Sequence, residues 1–222
     1  MMLHGIFSTA CKQASAGRHP PCAMLLTKPG SKLSNIISLS SYDIFETPLI
    51  MVRKKPRYWT EFECREFFEW FMQIKPSRTN EILLASDALS AASEVERFQR
   101  VTETLHRSIT HLTEQRLGGQ AVNGLGVVAG FDAALVLGDA LVRSVPGASW
   151  TTLRSPIRDL ISNNLPGVCR HGTGPGFEPL MGGRLLLSLV GREPFDQPPK
   201  NVLHTVYQNW HRTLSEAESD IG

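Results

Sequence analysis

The sequence predicts an α+β fold that is mostly helical: N-terminal helices packed with a small irregular sheet and a C-terminal helix. Three observations carry this. Apolar residues recur with helical spacing over 60–74, 93–112 and 203–214. A strongly apolar helix over 127–145 stops at Pro146-Gly147. A short strand bearing Trp150, Ala148–Leu153, follows that turn. With 222 residues, 41% of them hydrophobic and 20% charged, the chain can bury a substantial core. Its apolar runs fall far short of the ~18 residues that cross a bilayer. Asp132, Asp139 and Arg143 interrupt the most apolar region, so a soluble protein without a membrane span is expected.

Residues 1–56 read as a disordered tail or a misassigned start, 57–217 as a single globular domain, and 218–222 as a short tail. The first 50 residues are rich in Ser, Pro and small side chains, with no acid before Asp43. A transit-like peptide shares that composition. The disordered tail, or a start at Met51, ranks ahead of it. Met1–Ala10 lacks the charged region and long apolar core of a secretory signal.

In the globular part, Thr60 and Glu63 have capping-box spacing. Phe67, Trp70, Phe71 and Ile74 follow as a helical stripe, with Glu61–Arg65 and Arg65–Glu69 as i,i+4 pairs on the wet side. Pro76 is expected to end this helix. A second helix is expected over Thr79–Ser90, with Ile82 and Leu83 inward. Ser93 and Glu96 open a third helix, whose inward face is Val95, Phe98, Thr102, Leu105, Ile109 and Leu112, and Gly118-Gly119 stops it. The fourth helix, Val127–Val145, carries Gly130, Ala134 and Gly138 every four residues, a smooth ridge that another backbone can approach. Gly138, at the helix centre, costs ~1 kcal/mol relative to alanine, which close packing would offset. Residues 155–176 fit either a helix after Ser155-Pro156 or two short strands, with 172–176 a loop. Pro179–Val190 is apolar and fits helix or strand. Leu203, Val206, Tyr207, Trp210 and Leu214 mark a final helix.

The net charge is +2, with residues 51–222 formally neutral. The longest basic cluster, Arg53-Lys54-Lys55-Pro56-Arg57, reads as a solvated linker, so a nucleic-acid partner is not expected. Cys11, Cys22, Cys64 and Cys169 match no zinc or redox spacing. Cys64 and Cys169 read as buried thiols in a reducing, cytoplasmic setting. Gly119–Gly124 has phosphate-loop glycine spacing, but Leu125-Gly126 stands where Lys-Ser/Thr is required. The histidine spacings do not chelate, and no GxSxG elbow is present. No catalytic, cofactor-binding or metal-binding residue is therefore assigned, and no cofactor is expected. Asp132, Asp139 and Glu178 are the carboxylates in apolar context. Asp139 is four residues before Arg143, which suggests an intrahelical ion pair.

At Leu137-Gly138-Asp139, Gly147 and Trp150 the chain resembles a loose group of small bacterial domains of unknown function. In them a helix with Leu-Gly-Glu or Leu-Gly-Asp leads through a glycine turn to a strand opening with Trp. Glu178-Pro179 fits their later acidic-or-polar-plus-Pro step. This chain has Asp139 where glutamate is usual. The resemblance implies a compact α+β domain without an established catalytic centre and supplies no residue roles.

Two functions are therefore expected, in order. The first is a non-catalytic protein-interaction protein of accessory or immunity type, with a protein partner. Its candidate anchors include Phe68, which falls off its own helix's inward stripe, and Trp210, since aromatic residues are favoured interface anchors. The second is a small-molecule enzyme or binder with a pocket near Asp139, Trp150, Cys169 and His171, beside Arg143.

Overall fold

The structure, a computed structural model, describes Pro48 and residues 53–114, 119–155, 162–172, 174–191 and 200–216, excluding side chains over 109–125. Cys11, Cys22, Met51, most of the 1–56 segment, the 218–222 tail and the Ile109 and Leu112 side chains lie outside the described residues. The fold is α+β and mostly helical. Its elements are α1 (Glu61–Ala85), α2 (Glu94–Glu114), α3 (Gly119–Ser144), β1 (Ala148–Thr152), β2 (Pro166–Arg170), β3 (Gly176–Phe177), α4 (Pro179–Val190) and α5 (Val202–Glu216). The strands form one antiparallel sheet in the order β1-β2-β3, with Trp150 opposite Val168 and Val168 opposite Phe177. Among the described residues no helix is long and apolar enough to cross a membrane.

The centre of the molecule is α3. Residues 128–138 are buried without a break, as an all-round apolar helix requires. Every other helix packs against it or against a helix that does. It begins at Gly119, eight residues before the expected start, so the glycines of 119–126 lie in helical backbone and not in a loop.

The capping box that opens α1 is present: Glu63 N–H donates to Thr60 Oγ1 at 3.3 Å, and Thr60 N–H donates to Glu63 Oε2 at 2.5 Å. Pro76 does not end this helix, and there is no separate helix from Thr79. An interior proline costs ~3 kcal/mol through its missing N–H and its ring. Here the ring is exposed, while Phe71 before it and Arg78 and Ile82 after it are buried along one face. Burial of that face outweighs the lost hydrogen bond. After Ala85 the chain makes a 3-10 turn, Ala88–Ser90, entered through Asp87 in the left-handed region at φ 53.

Ser93 caps α2, accepting from Glu96 N–H at 3.1 Å. Phe98, Thr102 and Leu105 face inward as expected, but Val95 is exposed. It lies in the first turn, ahead of the point where α2 meets the core. The ambiguous segment resolves as strand at 166–170, with 156–161 outside the described residues, and Pro179–Val190 is helix. In α5, Leu203, Val206 and Leu214 are buried, and Tyr207 and Trp210 pack on the core half-buried.

Candidate functional site

The small-residue ridge of α3 serves two close approaches. A Cβ on Gly130 would stand 2.7 Å from the Gly183 carbonyl oxygen, and one on Gly183 would stand 2.6 Å from the Gly130 carbonyl carbon, so α3 and α4 cross backbone to backbone. A Cβ on Gly138 would stand 2.5 Å from two indole carbons of Trp150. The glycine at the helix centre is thus the seat of the β1 tryptophan, whose ring also meets Phe71 at 5.3 Å between centroids.

That seat delivers the indole to the next residue. Trp150 Nε1 donates to Asp139 Oδ1 at 2.8 Å, and Lys75 Nζ donates to the same oxygen at 2.6 Å. Lys75 also stands 5.4 Å from the centroid of the Trp150 ring. The expected Asp139–Arg143 pair does not form. Lys75 is nearer the carboxylate and better screened from water, while Arg143 Nη2 turns out to Glu94 Oε1 of α2 at 2.7 Å. Arg97 holds the other oxygen of Glu94. Glu61 likewise pairs with Arg154 at 2.8 Å, and the Arg65 guanidinium lies over Phe62 at 5.6 Å.

Asp139 and Arg143 line an open groove of about 330 Å³ walled by α1, the 3-10 turn, α2 and α3. Its apolar surface is Leu83, Leu89 and Val136, and Thr79 and Arg97 complete the polar edge. Leu89 and the neighbouring Leu84 are 51% and 59% exposed.

The other expected site residues lie elsewhere. In β2, Val168 faces Gly138, so Cys169 points to the opposite side, against Gly176. Burial pushes the Cys169 thiol up, as it does the Cys64 thiol. His171 lies exposed in the turn after β2, its ring beside Gly147. Asp139, Trp150, Cys169 and His171 therefore do not converge on one concavity. Phe68 is half-buried, and Trp210 packs edge-on against Phe177 at 5.6 Å.

Asp132 is fully buried and takes Arg78 bidentately, Nε to Oδ1 at 3.0 Å and Nη2 to Oδ2. Glu178 is buried as the N-cap of α4, accepting from the Leu180 and Met181 amides at 2.7 and 2.9 Å. Burial pushes its carboxyl up to about 7, against the lowering effect of those two amides. Among the described residues no three metal-ligating side chains gather.

Sequence reasoning missed Lys75, Arg78, Leu89 and Arg97. Lys75 and Arg78 were obscured by Pro76 between them. The available signal was two cations one turn apart on α1 and two carboxylates two turns apart on α3, all inside apolar faces. The Asp139 carboxylate is held by a lysine and an indole at the edge of the groove. No protein-family model, no curated protein and no solved structure matches this chain.

Proposed function

We propose that this chain is a non-catalytic binding domain that docks onto another protein, in the manner of accessory or immunity-type bacterial proteins, in the cytoplasm. The observation that carries the proposal is the open groove over Leu83, Leu89 and Val136, with Leu84 and Leu89 more than half exposed beside it. Such apolar exposure rimmed by charge is typical of docking surfaces. The free thiols of Cys64 and Cys169 agree with a reducing compartment. Nucleic acid is the poorer partner, since the groove floor is apolar and Lys54 of the basic stretch is held by Glu63 at 2.7 Å.

The test uses the full chain as bait in native lysate, beside Leu89→Asp, with circular dichroism showing that both fold. The expected result is one protein recovered in stoichiometric amount by the wild type and lost with the variant. Equal recovery by both, or no partner after cross-linking, overturns the proposal.

A further inference from the structure

We infer that the outer edge of β1 takes an extended strand of a partner protein; the inference rests on the protein-docking function proposed above and adds a second contact surface to it. The ladder between β1 and β2 fixes which backbone groups of β1 are spent. At one end His171 N–H donates to the Gly147 carbonyl at 3.5 Å, and at the other Leu153 N–H donates to the Leu165 carbonyl at 2.9 Å. In the register that sets Trp150 opposite Val168, the β1 residues bonded to β2 are therefore Ser149 and Thr151. Trp150 and Thr152 turn both N–H and C=O away from β2, and among the described residues nothing bonds those groups. Ala148, whose N–H also turns that way, spends it on the Val145 carbonyl at 3.1 Å.

The edge carries none of the devices that keep edges from pairing. β1 reads Ala-Ser-Trp-Thr-Thr, with no charge and no proline, and its pairs with β2 run without a bulge. A row of outward N–H and C=O groups is complementary to extended backbone and not to a helix, whose own groups are bonded internally. The position of α1 separates a partner's strand from a second copy of this chain. A Cβ on Gly138 would meet both Trp150 of β1 and Val168 of β2, so α3 lies over the seam between those strands. α1 stands on the outer side of α3, with Phe71 and Lys75 reaching Trp150. Two copies paired edge to edge would share a dyad normal to the sheet and carry both α1 helices on one face. Paired strands lie about 4.7–4.9 Å apart, whereas packed helices need about 8–10 Å, so the two α1 helices would claim the same space. A single strand fits beneath α1 without that conflict. One of its residues exchanges both bonds with Trp150, the residue two positions along does so with Thr152, and an uncharged, β-branched side chain suits the place opposite Thr151.

The test is amide hydrogen exchange, read by NMR on the isotope-labelled full chain, alone and with two uncharged peptides. One is amidated N-acetyl-Thr-Val-Thr-Val-Thr. The other is the same peptide N-methylated at its three central residues, which is more apolar but keeps no pair of donors spaced for Trp150 and Thr152. In the chain alone, the Trp150 and Thr152 amides should exchange at least about tenfold faster than those of Ser149 and Thr151. The plain peptide should slow the two outward amides and bind at least about tenfold more tightly than the methylated one. Thr152→Pro removes an N–H that β2 does not use, so it should keep the circular dichroism of the wild type and weaken the plain peptide about tenfold. Outward amides as protected as Thr151 in the chain alone, equal binding of the two peptides, no slowing up to about 10 mM peptide, or full binding by a folded Thr152→Pro each overturns the inference. Protection that grows with the concentration of the chain itself would mean that copies pair with one another, and it overturns the inference too. If Leu89→Asp loses a captured partner while the outward amides gain nothing from the plain peptide, the docking function stands and this inference falls.

Discussion

Two ion pairs join α1 to α3, and they differ in nearly every respect but charge. Arg78–Asp132 is dry, its side chains 4% and 0% exposed. Lys75–Asp139, one turn away on α1 and two turns away on α3, is 12% and 20% exposed. The planar fork of Arg78 meets both oxygens of Asp132, and Nη1 adds Glu81 at 2.8 Å. The single ammonium of Lys75 meets one oxygen of Asp139, which it shares with the Trp150 indole. Where water is excluded, both carboxylate oxygens have to be satisfied internally, and arginine does it. At the partly exposed pair, among the described residues, both hydrogen bonds to Asp139 fall on one oxygen. One pair fixes the interface, and the other adjoins the open groove.

The largest expected effect comes from breaking the dry pair. Asp132→Ala takes the bidentate carboxylate away from the buried Arg78 guanidinium and should cost about 3–5 kcal/mol. The paired replacement Asp132→Leu with Arg78→Met should recover most of that loss, since buried pairs often give way to apolar side chains without penalty. Urea unfolding of the two variants measures both. A loss below about 1 kcal/mol for Asp132→Ala would show that the pair is as wet as its neighbour.

Glu178 sharpens the comparison as a buried carboxylate held by backbone amides, where Asp132 is held by a guanidinium. Its folded carboxyl titrates near 7, above the ordinary 4.5. The folded protein therefore holds this proton more tightly than the unfolded chain. Its stabilising effect is complete below about pH 4.5 and is lost as pH rises through about 7. The loss over that window should be about 3 kcal/mol. Glu178→Gln, which cannot ionise, should flatten this part of the profile in denaturant titrations at pH 4.5–8. An unchanged slope would mean that the two amides and the α4 dipole compensate the ionised carboxylate.

The wet pair depends on the seat beneath its indole. Gly138→Ala would gain ~1 kcal/mol of helix propensity. It would also drive a methyl group into two Trp150 ring carbons at 2.5 Å, in a helix wedged between β1 and α1. Overpacking of this kind costs about 1–3 kcal/mol, so a net loss of about 1–2 is expected. The change should disturb Trp150 fluorescence, which Asp132→Ala need not do. A stabilised Gly138→Ala with unchanged fluorescence would show that the ring moves freely and that Asp139 is not positioned by it.

Much of this was legible in the sequence, for reasons that particular residues make clear. Helical periodicity marks α1, α2 and α5 because Phe67, Phe71, Phe98, Leu203 and Leu214 repeat on one side of each helix. The Gly130-Ala134-Gly138 ridge announced close packing on α3, and α4 and Trp150 meet its glycines there. Pro76 misled because local propensity cannot register that Phe71, Arg78 and Ile82 share one buried face across it. The Asp139 partner misled for a related reason. An i,i+4 arginine is visible in the sequence, whereas Lys75 is 64 residues away and reaches Asp139 only once α1 packs on α3. The groove was least visible, because Leu89, Arg97 and Val136 come from three separate elements with no shared periodicity.

The smallest effect should come from the wet pair itself. Asp139→Asn keeps an oxygen for the Trp150 indole and removes the charge that holds Lys75. Both side chains of the pair are partly solvated, so the lost attraction is screened and the stability change should be about 1 kcal/mol or less. The Trp150 emission maximum should hardly move, since the indole keeps its acceptor. A loss near that of Asp132→Ala would erase the distinction between the pairs and make Asp139 a structural carboxylate. A near-neutral result would instead separate the two carboxylates of this helix by their contribution to stability. Asp132 then accounts for the packing of α1 on α3, while Asp139, which lines the groove, contributes little to it.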